Sequence, residues 1–579
     1  MLIPRQARNI GALVNILGIN CFAHDTAAAL LVDGVPVAFV EEERFNREKH
    51  TKAFPDQAIE FCLRTGGIGI DEVDVVAFAH RAGRDFGRGA VDALERMPRS
   101  TKRLAAQAYI DWRLWRKQAR FVQRYGFKGK VTNVGHHEAH AASGFFASGF
   151  DEAGVLTVDR GGDFISTTLG HGKGNRLETI RELRNPHSLG EIYTAITGWL
   201  GFHPNADEGK VMGLAPYGSH LFAPEFREMV RLRPDGLFRV DLRWFRYQLE
   251  TGPLSRRFLK RYGPPREPES EILAHHKDVA FAVQLLTEET GLHMARTLHE
   301  QTASKNLVLA GGVALNSVMN GRLLRETNFE DIFIQPAAGD AGNALGAALY
   351  VWHHVLGNPR DWRMQHAFLG PGYSDGDYKE ALQNSGLTFR EVTDAAGEAA
   401  DLLAASKIVG WFQGRAEVGP RALGARSILA DPRRAEMKDV VNERVKHREG
   451  FRPFAPAVLD EKGAEYFTGY HPNPYMLLVL PIWPEKQTII PAVTHVDGTG
   501  RLQSVGSENP LFHRLIEEFE RRTGVAVVLN TSFNLRGEPI VHRPEEAISD
   551  FLQTGMDALF LGNYLVDKAE SGGSQGKGA

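Results

Sequence analysis

The feature that most constrains the fold of this chain is a pattern that occurs twice. Residues 16–20 form a short apolar strand, followed by His24-Asp25, a strand at 26–32, Asp33-Gly34, and a strand at 35–40. Residues 155–158 begin the second copy, followed by Asp159-Arg160-Gly161-Gly162-Asp163, a strand at 164–169 and a glycine-rich turn at 170–174. Asp-Gly between apolar runs marks a hairpin. Each copy puts acidic or histidine side chains in the loop between consecutive strands. A duplicated nucleotide-binding fold aims two loops at one phosphate chain in this way.

The rest of the chain alternates helices with strands, so the expected class is α/β. Residues 92–125 read as helical and rich in Arg and Lys, a solvated face. Helices are expected at 190–200 and 280–302, then a buried strand at 306–310, Gly311-Gly312 and a helix from Ser317. At 579 residues the chain exceeds one ordinary core. The shift to Pro, Gly and aromatics at 358–373 places the division there. The expected domains are 1–362 and 363–570, with a Gly/Ser/Lys tail at 571–579 read as disordered. The second domain opens with a helix at 378–385 and a strand at 408–412, and carries a buried strand at 525–529.

The net charge of -3 gives no whole-chain field for nucleic acid. No run approaches the ~20 apolar residues of a membrane span. The first fifteen residues read as an extension, not a signal peptide, and the two cysteines as reduced, so the expected location is the cytoplasm.

His136 and His140 are four apart, on one face of a helix, the spacing for a shared metal. Asp159 and Asp340 lie in glycine-flanked loops that let a carboxylate approach a ligand closely. Two imidazoles and two carboxylates suit iron, manganese or zinc. Surface histidines and helix N-caps are the structural alternative for these residues. Gly311-Gly312, between a strand and a helix, suits a phosphate, although a tight turn would look the same.

The densest cluster of cations is Arg415, Arg421 and Arg426 among glycines, followed by Arg444, Lys446, Arg448 and Arg452. Guanidinium groups bind phosphate bidentately, so the expected ligand is a polyanionic small molecule; a salt-bridged surface is the alternative. Asn530 and Ser532 follow a buried strand, where small polar side chains bind a ligand or cap a helix.

Together these segments resemble the NodU/CmcH carbamoyltransferases. The resembling stretches are residues 23–30, the Glu41-Glu42-Glu43-Arg44-Phe45 run, 136–142, 208–215, 310–316, 419–424, 452–456, 529–534 and 537–540, in the family's order. The resemblance implies a duplicated actin-like ATPase-type N-terminal domain and a YrdC-like α/β C-terminal domain. It implies ATP, Mg²⁺ and one transition metal, usually iron, with carbamoyl phosphate as donor and a hydroxylated small molecule as acceptor. No nucleic acid or membrane partner is implied, and an oligomer is compatible. By motif, the metal ligands would be His136, His140, Asp159 and Asp340; the catalytic groups His24, Lys446 and Arg421. Nucleotide or carbamoyl phosphate would meet Lys210, Gly311, Gly312, Asn316, Arg415, Arg426, Arg448, Arg452, Asn530 and Ser532. A tRNA threonylcarbamoyl transferase is the nearest rival, and a non-catalytic nucleotide switch the rival of a different class. One departure stands out: Arg160 follows Asp159 where a small residue is usual.

Overall fold

A computed structural model describes residues 13–21, 24–81, 101–247 and 252–571, with side chains of the 101–125 helix from residue 112 onward. Most of the expected N-terminal extension, the start of the basic helical stretch at 92–100 and the tail beyond 571 lie outside the described residues.

The repeat in the sequence becomes two sheets of one topology. The first contains β1 (Asn15–Asn20), β2 (Ala27–Val32), β3 (Val35–Glu41), β4 (Val75–Phe78) and β5 (Lys130–Asn133), in the order β3-β2-β1-β4-β5. The second contains β6 (Glu152–Gly162), β7 (Ile165–Lys173) and β8 (Arg176–Arg184). A small hairpin, β9 (Val230–Leu232) and β10 (Phe238–Val240), intervenes before β11 (Asn306–Ala310) and β12 (Asp331–Ile334) complete it. Its order is β12-β11-β6-β7-β8. In both sheets the first three strands are an antiparallel meander and the last two add in parallel. Near-continuous burial of β1, β2 and β6 fits strands covered on both faces.

Two helices lie between these sheets: α1 (His136–Ser148) and α2 (Gly342–Leu349). Their closeness comes from small residues. A Cβ on Gly346 would stand 1.9 Å from the Ala139 carbonyl oxygen, so any other residue would force α1 and α2 apart. The Gly135 N–H donates to Glu138 Oε2 at 3.1 Å, a capping interaction that starts α1 at the first histidine.

The expected turn at 170–174 is corrected. Gly170 and Gly172 belong to β7, and the chain turns at Gly174-Asn175. Gly172 is small because Phe145 of α1 lies on it, 2.5 Å from where a Cβ would be.

The remaining strands form one mixed nine-stranded sheet. They are β13 (Arg390–Glu391), β14 (Val409–Phe412), β15 (Arg426–Ala430), β16 (Ala455–Leu459), β17 (Leu478–Pro481), β18 (Thr499–Val505), β19 (Val527–Ser532), β20 (Ala558–Leu561) and β21 (Tyr564–Asp567). The order is β13-β21-β20-β14-β15-β19-β16-β18-β17. One apolar core runs without a break from the first two sheets into this one, and a smaller one underlies the outer face of the first sheet. Among the described residues no helix is long and apolar enough to cross a membrane.

Candidate active site

Helix α1, the end of β6 and the loop before α2 converge on one buried point. His136 and His140 are 0% exposed, Asp159 8% and Asp340 5%. One ligand atom from each lies within 4.8 Å of all the others. The two Nε2 atoms face each other at 3.1 Å, and His136 Nε2 is 3.3 Å from Asp159 and 3.6 Å from Asp340. Two facing imidazole nitrogens share at most one proton, and two carboxylates beside them leave a net charge of -2 when both rings are neutral. A divalent cation answers both conditions, so the donor set fits a metal. Without one, burial opposes charge on His136, yet Asp340 and Asp159 hold its pKa up at about 9. Burial likewise opposes charge on Asp159, but His136 and His140 keep it ionised well below the usual carboxylate range.

Around these four stand residues the sequence did not single out. Asp163 Oδ2 accepts from the His136 backbone N–H at 2.7 Å, and its Oδ1 pairs with His80 Nδ1 at 2.7 Å. Asn343 Nδ2 lies 3.2 Å from His140 Nε2. The Gly312 N–H donates to Asp159 Oδ1 at 3.0 Å. Expected to cradle a phosphate, Gly312 instead braces a candidate ligand. Asn316 caps the helix Ser317–Glu326 by accepting from the Met319 N–H and donates to Gln284. His137 is a core histidine, held neutral by burial at a pKa of about 3 and bonded to Thr157 and Ile165.

His24 opens onto the same region. One carboxylate holds two imidazoles there: Asp25 Oδ2 meets His24 Nδ1 at 2.9 Å and Asp25 Oδ1 meets His50 Nδ1 at 2.7 Å. Burial opposes charge on His24, but the bond to Asp25 and the Asp340 charge raise its pKa to about 9. A carboxylate only accepts, so both Nδ1 atoms carry the proton and each Nε2 is the free face. Asp25 and His50 both have left-handed backbones, φ 52° and 56°, strain that functional sites concentrate. Arg160 reaches Asn205 Oδ1 at 2.8 Å and adds positive charge beside His24.

The second constellation lies on the nine-stranded sheet. Burial, and after it neighbouring guanidiniums, depress the pKa of Arg421, Arg448, Arg452 and Arg501. Burial and Arg452 push Arg421 down to about 10; burial and the other three push Arg501 further. Neither Arg421 nor Arg501 has a hydrogen-bond partner among the described residues. Arg448 bonds Asn442 Oδ1 at 2.8 Å, and Arg452 stands 3.8 Å from Glu449. Sequence reasoning missed Arg501, a single cation in strand β18 with no motif around it. Lys446 donates all three hydrogens inward, to the Ser532 carbonyl and to both oxygens of Asn534, each at 2.8 Å. It therefore has no hydrogen left for a ligand, and burial and the Arg448 charge push its pKa well below the ordinary lysine range. Asn530 Nδ2 bonds the Ala422 carbonyl and Gln503, and Ser532 Oγ bonds Asn534.

Three expected ligand cations are otherwise engaged. Arg426 is 0% exposed and donates to the carbonyls of Gln413, Ala425, Pro371 and Gly414. Arg415 donates to those of Gly370, Val37 and Leu369. Both act as braces between backbone segments here. Lys210 pairs with Asp207 at 3.0 Å and Glu449 at 3.1 Å, tying the first half to the loop that carries Arg448 and Arg452.

Comparison with known proteins agrees with this two-part build. A model described as carbamoyltransferase N-terminus matches residues 15–349, and one described as carbamoyltransferase C-terminus matches 400–568. The uncharacterized protein sll1178 of Synechocystis is 42% identical, covering 96% of this chain and 97% of its own. The nodulation protein NolNO of Sinorhizobium fredii is 39% identical over 95% of this chain and 80% of its own. The 3'-hydroxymethylcephem-O-carbamoyltransferase of Amycolatopsis lactamdurans is 34% identical over 63% of this chain and 65% of its own.

Proposed function

The chain belongs to the carbamoyltransferase family, and on that premise we propose that it is an ATP-dependent O-carbamoyltransferase. The carbamoyl group of carbamoyl phosphate passes through carbamoyl-adenylate to a hydroxyl of a small-molecule natural product. The observation that carries this reading is the cationic cluster of Arg421, Arg448, Arg452 and Arg501, which Glu449 beside Arg452 offsets only in part, in the same chain as the His136/His140/Asp159/Asp340 site. Four clustered guanidiniums with positive charge in excess suit a phosphate-rich ligand.

In this reading residues 363–570 are a YrdC-like domain that makes the adenylate. Water first cleaves carbamoyl phosphate to carbamate and inorganic phosphate; a carbamate oxygen then attacks the α-phosphorus of ATP and pyrophosphate leaves. The arginines neutralise the charge as it shifts to the leaving group. Residues 1–362 are an actin-like domain, a reading supported by two sheets of one topology. There the acceptor oxygen attacks the carbamoyl carbon and AMP leaves. His24 Nε2 takes the hydroxyl proton, with its Nδ1–H fixed on Asp25. A metal held by His136, His140, Asp159 and Asp340 would polarise the carbonyl as a Lewis acid. The relatives named for nodulation and for cephem carbamoylation support a secondary-metabolite hydroxyl as acceptor.

The test is pyrophosphate release from ATP and Mg²⁺, with and without carbamoyl phosphate, in wild type and Arg501→Met. Release that needs carbamoyl phosphate and is lost in the variant is expected. Release independent of carbamoyl phosphate, in folded protein, would overturn the reading.

A further inference from the structure

The Glu41-Glu42-Glu43-Arg44-Phe45 run has no part in the chemistry above, yet the segment it opens touches both constellations. Glu41 and Arg44 are 5% and 2% exposed, and both grip Gly419. The Gly419 N–H donates to Glu41 Oε1 at 2.6 Å, and Arg44 donates to the Gly419 carbonyl at 2.6 Å. Gly419 has φ +89°, and a Cβ there would stand 2.5 Å from the Pro336 carbonyl oxygen. It is thus wedged against the strand end that leads to Asp340, two residues before Arg421.

Arg47 takes a second hold. It donates to Glu538 Oε2 at 3.2 Å and to the carbonyls of Pro539 and Ile540 at 3.0 and 2.9 Å. The Glu538 carbonyl accepts from Asn534 Nδ2 at 2.6 Å, and Asn534 in turn holds Lys446. The segment ends on His50, whose N–H donates to Glu43 Oε2 at 2.7 Å and whose ring shares Asp25 with His24. A hydrogen-bonded path therefore runs from Lys446 through Asn534, Glu538 and Arg47 into the chain segment that ends beside His24.

We propose that Glu41, Arg44 and Arg47 are positioning residues by which the first half holds the adenylate-forming cations of the second half in register. The proposal rests on the adenylation reading above. Buried groups bonded at 2.6 Å on both the N–H and the C=O of one glycine leave its backbone little freedom, and Arg421 follows after one proline. Arg47 matters through its fork: three acceptors on one loop are met by one planar guanidinium, a geometry an ammonium does not reproduce.

The experiment is carbamoyl-phosphate-dependent ATP–pyrophosphate exchange in the full chain. The variants are Arg47→Met, Arg47→Lys, Glu538→Gln and the double variant Arg47→Met/Glu538→Gln, each with its unfolding midpoint. Arg47→Met is expected to lower kcat by roughly 10–100-fold, as misplaced catalytic groups do, with KM for ATP and the midpoint nearly unchanged. Arg47→Lys should recover only part of the loss. The double variant should be no worse than the worse single, because both remove one interaction. Unchanged kcat in folded Arg47→Met, additive losses in the double variant, or a kcat loss that tracks loss of folded protein would overturn the brace. If wild-type exchange does not depend on carbamoyl phosphate, the adenylation reading itself fails and the brace falls with it.

Discussion

Replacing Arg421 by methionine should stabilise the ligand-free protein while abolishing its response to phosphate ligands. The guanidinium is held at a pKa of about 10 against an ordinary 12.5, by burial and by Arg452. A difference of 2.5 units corresponds to roughly 3 kcal/mol by which the fold disfavours this charge. The folded pKa lies below the unfolded one, so the penalty is complete below pH 10 and fades only as pH rises toward 12.5. Methionine keeps most of the apolar stem and removes the charge. Allowing for lost contacts, a net gain of about 1–2 kcal/mol is expected at pH 7.5. Urea unfolding with and without pyrophosphate is the assay. Wild type should gain about 2.7 kcal/mol at a ligand concentration of 100 times Kd, and Arg421→Met almost nothing. A variant less stable than wild type that keeps the full pyrophosphate response would refute the reasoning, because Arg421 would then be structural.

Two further outcomes follow from the titrating groups. His24, raised to about 9 by Asp25 and Asp340 against the effect of burial, acts as a base only when neutral, so transfer should rise with pH toward 9. Asp25→Asn should move the His24 midpoint, followed by imidazole NMR, down toward or below its ordinary 6.5; an unmoved midpoint would exclude Asp25 as the cause. Asp550 is raised from 3.8 to about 7 by burial and by Glu538, and its Oδ2 has no partner among the described residues. A raised carboxyl costs stability that is absent below pH 4 and complete above pH 7. Asp550→Asn should therefore narrow the difference in stability between pH 5 and pH 8, with a ceiling of about 3 kcal/mol; an unchanged difference refutes the assignment.

The metal-like cluster was legible because its signals are local. His136 and His140 share a helix face by spacing alone, and Asp159 and Asp340 follow strands or precede a helix of small residues. The duplicated sheets were legible because hairpin chemistry and apolar runs are short-range. Arg415 and Arg426 show the limit of residue type. Both sit among glycines like Arg421, but their donors meet backbone carbonyls, and only the course of the chain decides that. Arg501 shows the converse: a cation in an ordinary strand becomes part of the site because β18 lies two strands from β19. Gly170 and Gly172 were read as a turn because glycine marks both turns and close packing, and the packing partner, Phe145, is far earlier in sequence. The contacts of Glu41 and Arg44 with Gly419 cross more than 370 positions, beyond any periodicity.

The distribution of counter-charges also says where a bound phosphate belongs. Arg452 has Glu449 nearby, Lys210 has both Asp207 and Glu449, and Lys446 is enclosed by oxygens. These cations stand along the seam, where the first half supplies Asp207. Arg421 and Arg501 have no such relief: the Nε of each lacks a partner among the described residues, and burial and neighbouring arginines lower the tendency of both to hold a proton. On the adenylation reading proposed above, an entering dianion would be drawn most strongly toward Arg421 and Arg501 and least toward the paired cations of the seam. The arrangement gives the ligand a direction before any specific contact is made, and it does so through which cations the fold leaves unpaired.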